Sequence, residues 1–230
     1  MSPQVTRYHH GDLRPALIDA ALDLARSGGP GALRLREITR AAGVSPNAAY
    51  RHFPDLDALV LAAAQVAQDR LAAAMREQIG ALLDDAGGTA DAGARDTAAG
   101  TADAGAADSA IARLRGVGLG YIHFAIAEPG WFELALLTFD PRSGGDPTVT
   151  VGNEVPPPFQ LLLDALDHMV AVGALTVEER VHAEWPCWSA VHGFADLAAR
   201  GPLKHQPPDV LSALGEHVVD RAIAGVRAHV

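Results

Sequence analysis

The chain has 230 residues, 49% of them hydrophobic, and a formal net charge of −10, enough apolar mass for one sizeable domain or two small ones that fold unaided. Its single cysteine, Cys187, excludes an intrachain disulfide and suits a reducing compartment. No stretch reaches eighteen uninterrupted apolar residues, and the opening MSPQVTRYHHGDLR has no apolar run of signal-peptide length. The expectation is a soluble, cytoplasmic protein with no membrane partner.

The first helical pattern begins near Asp12, where Leu13, Leu17, Ala20, Ala21 and Leu24 share one face. SGGPG at 27–31 stops it. A second helix fits Leu35 to Ala42, with Leu35, Ile38, Ala41 and Ala42 inward, and Gly43 closes it as a left-handed cap. Ser45 as N-cap and Pro46 as first helical residue start a third helix that runs to about His52. Pro54 stops that helix, and Asp55 caps a fourth that keeps its spacing to about Leu83.

From 84 to 109 the composition changes: no large apolar residue occurs and TADAGA appears twice. This stretch reads as a low-complexity, flexible insertion. Helical pattern resumes at Ile111 and runs to about Ala127, and EPGWFELALLTF reads as a turn and a short helix. Residues 140–158 read as a proline- and glycine-rich loop, and helices follow at 158–172, 177–199 and 208–229. Pro186 inside the second of these predicts a kink near Glu184 or Trp185. The fold class is all-α, with about nine helices and a break near residue 80.

Charge is unevenly spread. Residues up to Phe53 carry +3, and the other 177 carry −13. That basic head coincides with a helix, a Gly-containing turn and a short capped helix over 35–53, the plan of a helix-turn-helix. Ile38, Ala42, Val44, Ala49 and Phe53 pack its helices together. The second helix of such a unit lies in the DNA major groove. Asn47 is suited to adenine, Arg51 to guanine and Ala48 to a thymine methyl. Tyr50, His52 and Arg36 are placed for backbone phosphates, with Ser45 and Pro46 at the helix start.

GALRLREITRAAGVSPNAAYRHFPDLDALV resembles the DNA-binding domain of the TetR family of bacterial transcriptional regulators, over about residues 10–70. L-R-E-I, A-G-V-S and Y-R-H-F fall in order at the family's spacing. The resemblance implies a homodimer of nine-helix subunits that usually represses transcription. Its first three helices bind an operator in double-stranded DNA, and the remainder, about 110–230, binds a small-molecule effector. The residues carried over are Arg36, Ser45, Asn47, Ala48, Tyr50, Arg51 and His52. Family members often carry Ser or Thr where this chain has Arg34, and Lys where it has Leu56, which removes one expected phosphate contact.

The opening RYHHGDLR looks like one branch of the family and brings Arg7, His9, His10 and Arg14 to the first helix, within reach of phosphates or the minor groove. Adjacent histidines with no Cys/His spacing motif do not make a metal site, and no metal or cofactor is expected.

In the C-terminal half, WSAVHGFADL resembles the Trp…His-Gly type of TetR C-terminal domain through Trp188, His192 and Gly193. Trp188 and His192 share a helix face, which fits packing as well as ligand contact. Phe124, Trp131, Met169, Trp185, Trp188 and His192 are the candidate lining of an effector cavity. Leu211, Leu214, Val218, Val219, Ala222 and Val226 form an apolar stripe on the last helix. The resemblance pairs the last two helices across a two-fold axis.

Two other classes stand beside the regulator. One is an all-α interaction scaffold whose helix-turn-helix does not bind DNA. The other is a Cys–His enzyme built on Cys187 with His182 or His192; that region lacks the motifs of a thiol enzyme, so no enzyme is expected.

Overall fold

The computed structural model describes residues 13–90, 100–137 and 155–227. Ten α-helices and one 3-10 turn, and no strand, occur among the described residues. The helices are α1 (Leu13–Gly28), α2 (Leu35–Ala41), α3 (Pro46–Ala49), α4 (Leu56–Ala90) and α5 (Gly100–Ala127). They are followed by α6 (Pro129–Leu136), α7 (Pro157–Ala171), α8 (Val177–Arg180), α9 (Glu184–Ala199) and α10 (Pro208–Val226). The 3-10 turn is Pro30–Ala32.

Two hydrophobic cores share α4. The smaller one joins Leu17, Leu22, Ile38, Ala49, Phe53 and Leu59, continues along α4 to Ala67, and takes Leu134 and Ala135 from α6. The larger one begins on α4 at Leu71, Met75 and Ile79 and gathers α5, α7, α9 and α10. Helices α4 and α5 pack closely because Gly116 and Gly120 of α5 face Ile79 and Met75 of α4. A Cβ on Gly120 would lie 2.6 Å from Met75 Cα, so no larger residue fits at that crossing.

Local signals explain several boundaries. Ser45 Oγ accepts from Ala48 N at 3.3 Å, and Pro46 stands at the first helical position. Asp55 Oδ1 accepts from Ala58 N at 2.8 Å and so caps α4. Gly43 adopts φ 69°, the left-handed region that a side chain disfavours.

Four expectations need correction. Helix α4 runs unbroken past residue 80 to Ala90, and α5 starts at Gly100, so 84–90 and 100–109 are helical rather than a flexible insertion. Alanine-rich sequence sustains helix despite scattered glycines, and the remainder of that stretch, 91–99, lies outside the described residues. Helix α3 ends at Ala49, and Tyr50 to His52 continue as turns. Ala41 is exposed rather than inward.

Residues 177–199 form two helices, not one kinked helix. Pro186 has no N–H for the His182 carbonyl, so a helix cannot run through it. The chain instead reverses at His182, with φ 61°, and restarts with Pro186 in the first turn of α9, where no intrahelical donor is needed. The loop expected at 140–158 lies mostly outside the described residues.

Candidate nucleic-acid interface and inner cavity

The helix-turn-helix is fixed from beneath. Ile38, Thr39, Ala42, Ala49 and Phe53 are buried, and Thr39 Oγ1 donates to the Arg36 carbonyl. The Val44 N–H closes the turn on Thr39 O at 2.9 Å. With the apolar residues turned inward, Arg36, Ser45, Pro46, Asn47, Tyr50, Arg51 and His52 are all exposed, and Ala48 is half-buried between them. Tyr50 has 54% of its surface exposed, high for an aromatic side chain with no partner to cover it. No ion pair among the described residues engages Arg34, Arg36 or Arg51. By contrast Arg40 pairs with Glu37, and Arg14 lies over the Phe53 ring at 4.8 Å. Arg7, His9 and His10 lie outside the described residues.

Both sequence departures have a local consequence. Arg34 occupies the N-cap of α2 without a capping hydrogen bond from its side chain. Leu56 is half-buried against the smaller core, so it fills space where a lysine would reach outward.

A partly open cavity of about 30 Å³ lies between α4, α5, the start of α7, α9 and α10. Met75, Val117, Tyr121, Trp188, Val191 and Val219 are among its walls. Burial keeps the Tyr121 phenol protonated far above its ordinary range, and a nearby Asp196 adds to the effect. Its oxygen is 2.9 Å from His192 Nδ1. His192 stacks on Trp188, with ring centroids 5.8 Å apart and planes 7° from parallel. Burial also lowers the His192 pKa, so the imidazole is neutral at pH 7. The Cys187 thiol is pushed up to about 11, first by burial and then by Glu184, so it is not a thiolate nucleophile.

The six residues singled out for the cavity are dispersed. Trp188 lines it, and His192 touches it through Tyr121. Met169 is fully buried core, and Trp185 packs on Phe159 at 6.1 Å. Phe124 faces an outer groove between α4 and α5 together with His123 and Gln78. Trp131 sits elsewhere, at the join between the two cores. Sequence reasoning also missed that Val219, Ala222 and Ile223 of α10 face the cavity. Val219 and Ala222 were part of the apolar stripe on the last helix, and Ile223 was not. Leu211, Val219 and Val226 are buried within their own chain, and Leu214 alone of that stripe is exposed.

Trp131 belongs to α6, which joins the two cores. Its Nε1 donates to the Leu22 carbonyl of α1 at 2.8 Å. Arg26 and Arg70 lie over its ring at 4.8 and 4.2 Å. Arg26 Nε also donates to Glu128 at 2.7 Å, just before α6. Gly130 presses on the end of α1, where an added Cβ would lie 2.1 Å from the Ala25 carbonyl oxygen. Gln68 of α4 donates to Ala135 O at 3.1 Å. On the same helix Phe132 is buried in the larger core, while Leu134 and Ala135 are buried in the smaller.

Residues 17–63 match the model for bacterial regulatory proteins of the tetR family, and residues 114–222 match the tetracyclin repressor-like C-terminal domain. Together the matches span two thirds of the chain. The chain belongs to the TetR family. It is thus a DNA-binding transcriptional regulator. No curated protein sequence matches it.

Solved structures share this TetR fold. A protein of unknown function from Rhodococcus sp. RHA1 is 24% identical, with a TM-score of 0.66, covering 98% of this chain and 100% of that one. FadR from Bacillus subtilis, in complex with stearoyl-CoA, is 14% identical, with a TM-score of 0.53, covering 92% and 98%. RolR in complex with resorcinol is 16% identical, with a TM-score of 0.51, covering 95% and 94%. No metal-binding group of three or more His, Cys, Asp or Glu occurs among the described residues, and no described helix is long and apolar enough to cross a membrane.

Proposed function

We propose that this TetR-family chain is a homodimeric repressor, rather than an enzyme, that releases its operator when a small molecule enters the inner cavity. Arg51, Asn47 and Ala48 read base edges, with Pro46 beside them. Arg36, Ser45, Tyr50 and His52 grip phosphates. Support comes from their common exposure above a buried apolar floor and from Arg36 and Arg51, which no ion pair among the described residues engages.

The observation that carries the ligand response is that α6 is packed into both cores at once. A shift of the cavity walls reaches α6 through Phe132, and α6 reaches α1 through Gly130, Trp131 and Glu128. Such a shift changes DNA affinity only if the ligand prefers one position over the other. The dimer forms through α9 and α10, whose exposed Leu197, Val210 and Leu214 suit an apolar seam. Two recognition units then sit about 34–36 Å apart, or a multiple of that. FadR and RolR, which hold stearoyl-CoA and resorcinol on the same fold, lend support to a small-molecule effector.

Selection of bound duplexes from a random pool, followed by gel shift across a salt series, tests this. A palindromic site with steep salt dependence is expected, and no sequence-specific binding to any duplex overturns the reading. Ligand affinity measured with and without that duplex tests release, and equal affinities exclude it.

A further inference from the structure

The chemistry of the cavity narrows what it accepts. None of the residues lining it carries a formal charge, and most are aliphatic: Leu114, Val117, Leu162, Val191, Val219 and Ile223 among them. The polar atoms its walls own belong to Tyr121, Cys187 and Trp188. Tyr121 already shares its hydroxyl with His192 Nδ1. Arg180, whose charge acts on Cys187, is committed to Asp167 at 2.6 Å and Glu184 at 2.8 Å.

The charged groups that act on the walls are already paired: Glu184, which acts on Cys187, with Arg180, and Asp196, which acts on Tyr121, with Arg200. An anion entering there loses its water and finds no free cation on the walls. A cation finds no ionised acceptor among the lining residues. At about 30 Å³ the space holds roughly one water, so any organic ligand must push the walls apart. The wall formed by Val219, Ala222 and Ile223 belongs to α10, one of the two helices assigned above to the dimer seam.

On the reading that this cavity holds the effector, we propose that the effector is a compact, uncharged, mainly hydrocarbon molecule that wedges between α5, α9 and α10. Ionised ligands of the same skeleton, which would carry the charge into the cavity, are excluded.

The test uses the full chain and matched pairs: toluene against benzoate, cyclohexanol against cyclohexanecarboxylate, and 1-hexanol against hexanoate and hexylammonium. Binding is read by calorimetry and thermal shift. At least one neutral member is expected to bind, with its charged partner weaker by about 100-fold or more. Ala222→Phe fills the space and removes the shift, with far-ultraviolet circular dichroism confirming that the variant is folded. Val219→Ala enlarges it and strengthens binding of the larger neutral ligands, so the conclusion does not depend on one variant. Binding of a charged member as tight as its neutral partner, lost with Ala222→Phe, overturns the proposal. So does failure of every neutral ligand to bind. Either result leaves the regulator reading standing, because that reading fails only when the chain binds no duplex specifically.

Discussion

The two cores are built from different material. The smaller core is packed largely with alanine and aliphatic residues; Thr39 and Gln68 are buried beside it, each bonded to a backbone carbonyl, and the polar side chains of the helix-turn-helix face outward. The larger core is rich in aromatics, with Tyr121, Phe132, Phe159, Trp188 and Phe194, and holds its polar groups inside, as the Tyr121–His192 pair shows. Small residues let short helices approach and leave a polar outer face to meet a partner. Two rings, Tyr121 and Trp188, beside aliphatic walls leave a small gap that a ligand can widen. One core presents chemistry to the surface and the other keeps it within, and α6 is the piece common to both.

Breaking α6 should have the largest effect on this division. Gly130→Leu puts a side chain where a single added Cβ already lies 2.1 Å from a carbonyl oxygen. We expect a loss of about 3 kcal/mol or more in chemical denaturation, because backbone on both sides must yield. An unchanged midpoint would show that α6 does not need its close seat on α1.

Trp131→Phe is the milder cut. It removes the bond to Leu22 O and weakens the stacking of Arg26 and Arg70. A cost of about 1–2 kcal/mol follows from one hydrogen bond and part of two cation–π contacts. The sharper readout is coupling: effector and duplex should then affect one another less. If their mutual effect stays at the wild-type value, α6 is not the connection.

On the outward side, Arg51→Ala should cost about 1–3 kcal/mol in specific binding and relax preference at one base pair. Arg36→Ala should weaken all duplexes alike and lower the salt slope by about one unit. Fluorescence anisotropy across a salt series separates the two, and the reverse assignment would exchange their roles. Ser45→Ala should cost about 1 kcal/mol of stability by leaving the Ala48 N–H without its cap.

The two regions were not equally legible in the sequence. The helix-turn-helix is written in local terms: Ser45, Pro46, Gly43 and Asp55 each set a boundary within a few residues of themselves. The cavity depends on which faces of distant helices meet, and periodicity cannot say that. Trp131 and Met169 carry the aromatic or apolar character of a pocket wall, yet one is a joint and the other solid core. Alternating alanines and glycines hid the ends of α4 and α5, because a low-complexity stretch and a weak helix look alike in composition. Pro186 was visible, but whether proline kinks a helix or begins one depends on the turn before it.

The smallest expected effect probes the inward side through pH. His192 stands on α9 between Trp188 and Asp196, with Tyr121 from α5 and Phe132 from α6 against its ring. Burial lowers its pKa, Asp196 acts against that, and Arg200 reinforces it. The unfolded chain titrates near the ordinary value of 6.5, above the folded pKa. Between the two values the unfolded state holds the extra proton, so acid favours unfolding. The penalty is absent above 6.5, grows as pH falls through that value, and levels off below the folded pKa. Subtracting the stability–pH curve of His192→Phe from that of the native chain isolates this term from the carboxylates. A flat difference below 6.5 would mean that the imidazole is not held neutral by its surroundings. Arg200→Ala should raise the folded pKa and narrow the window, because it removes a cation that opposes protonation while leaving Asp196 in place.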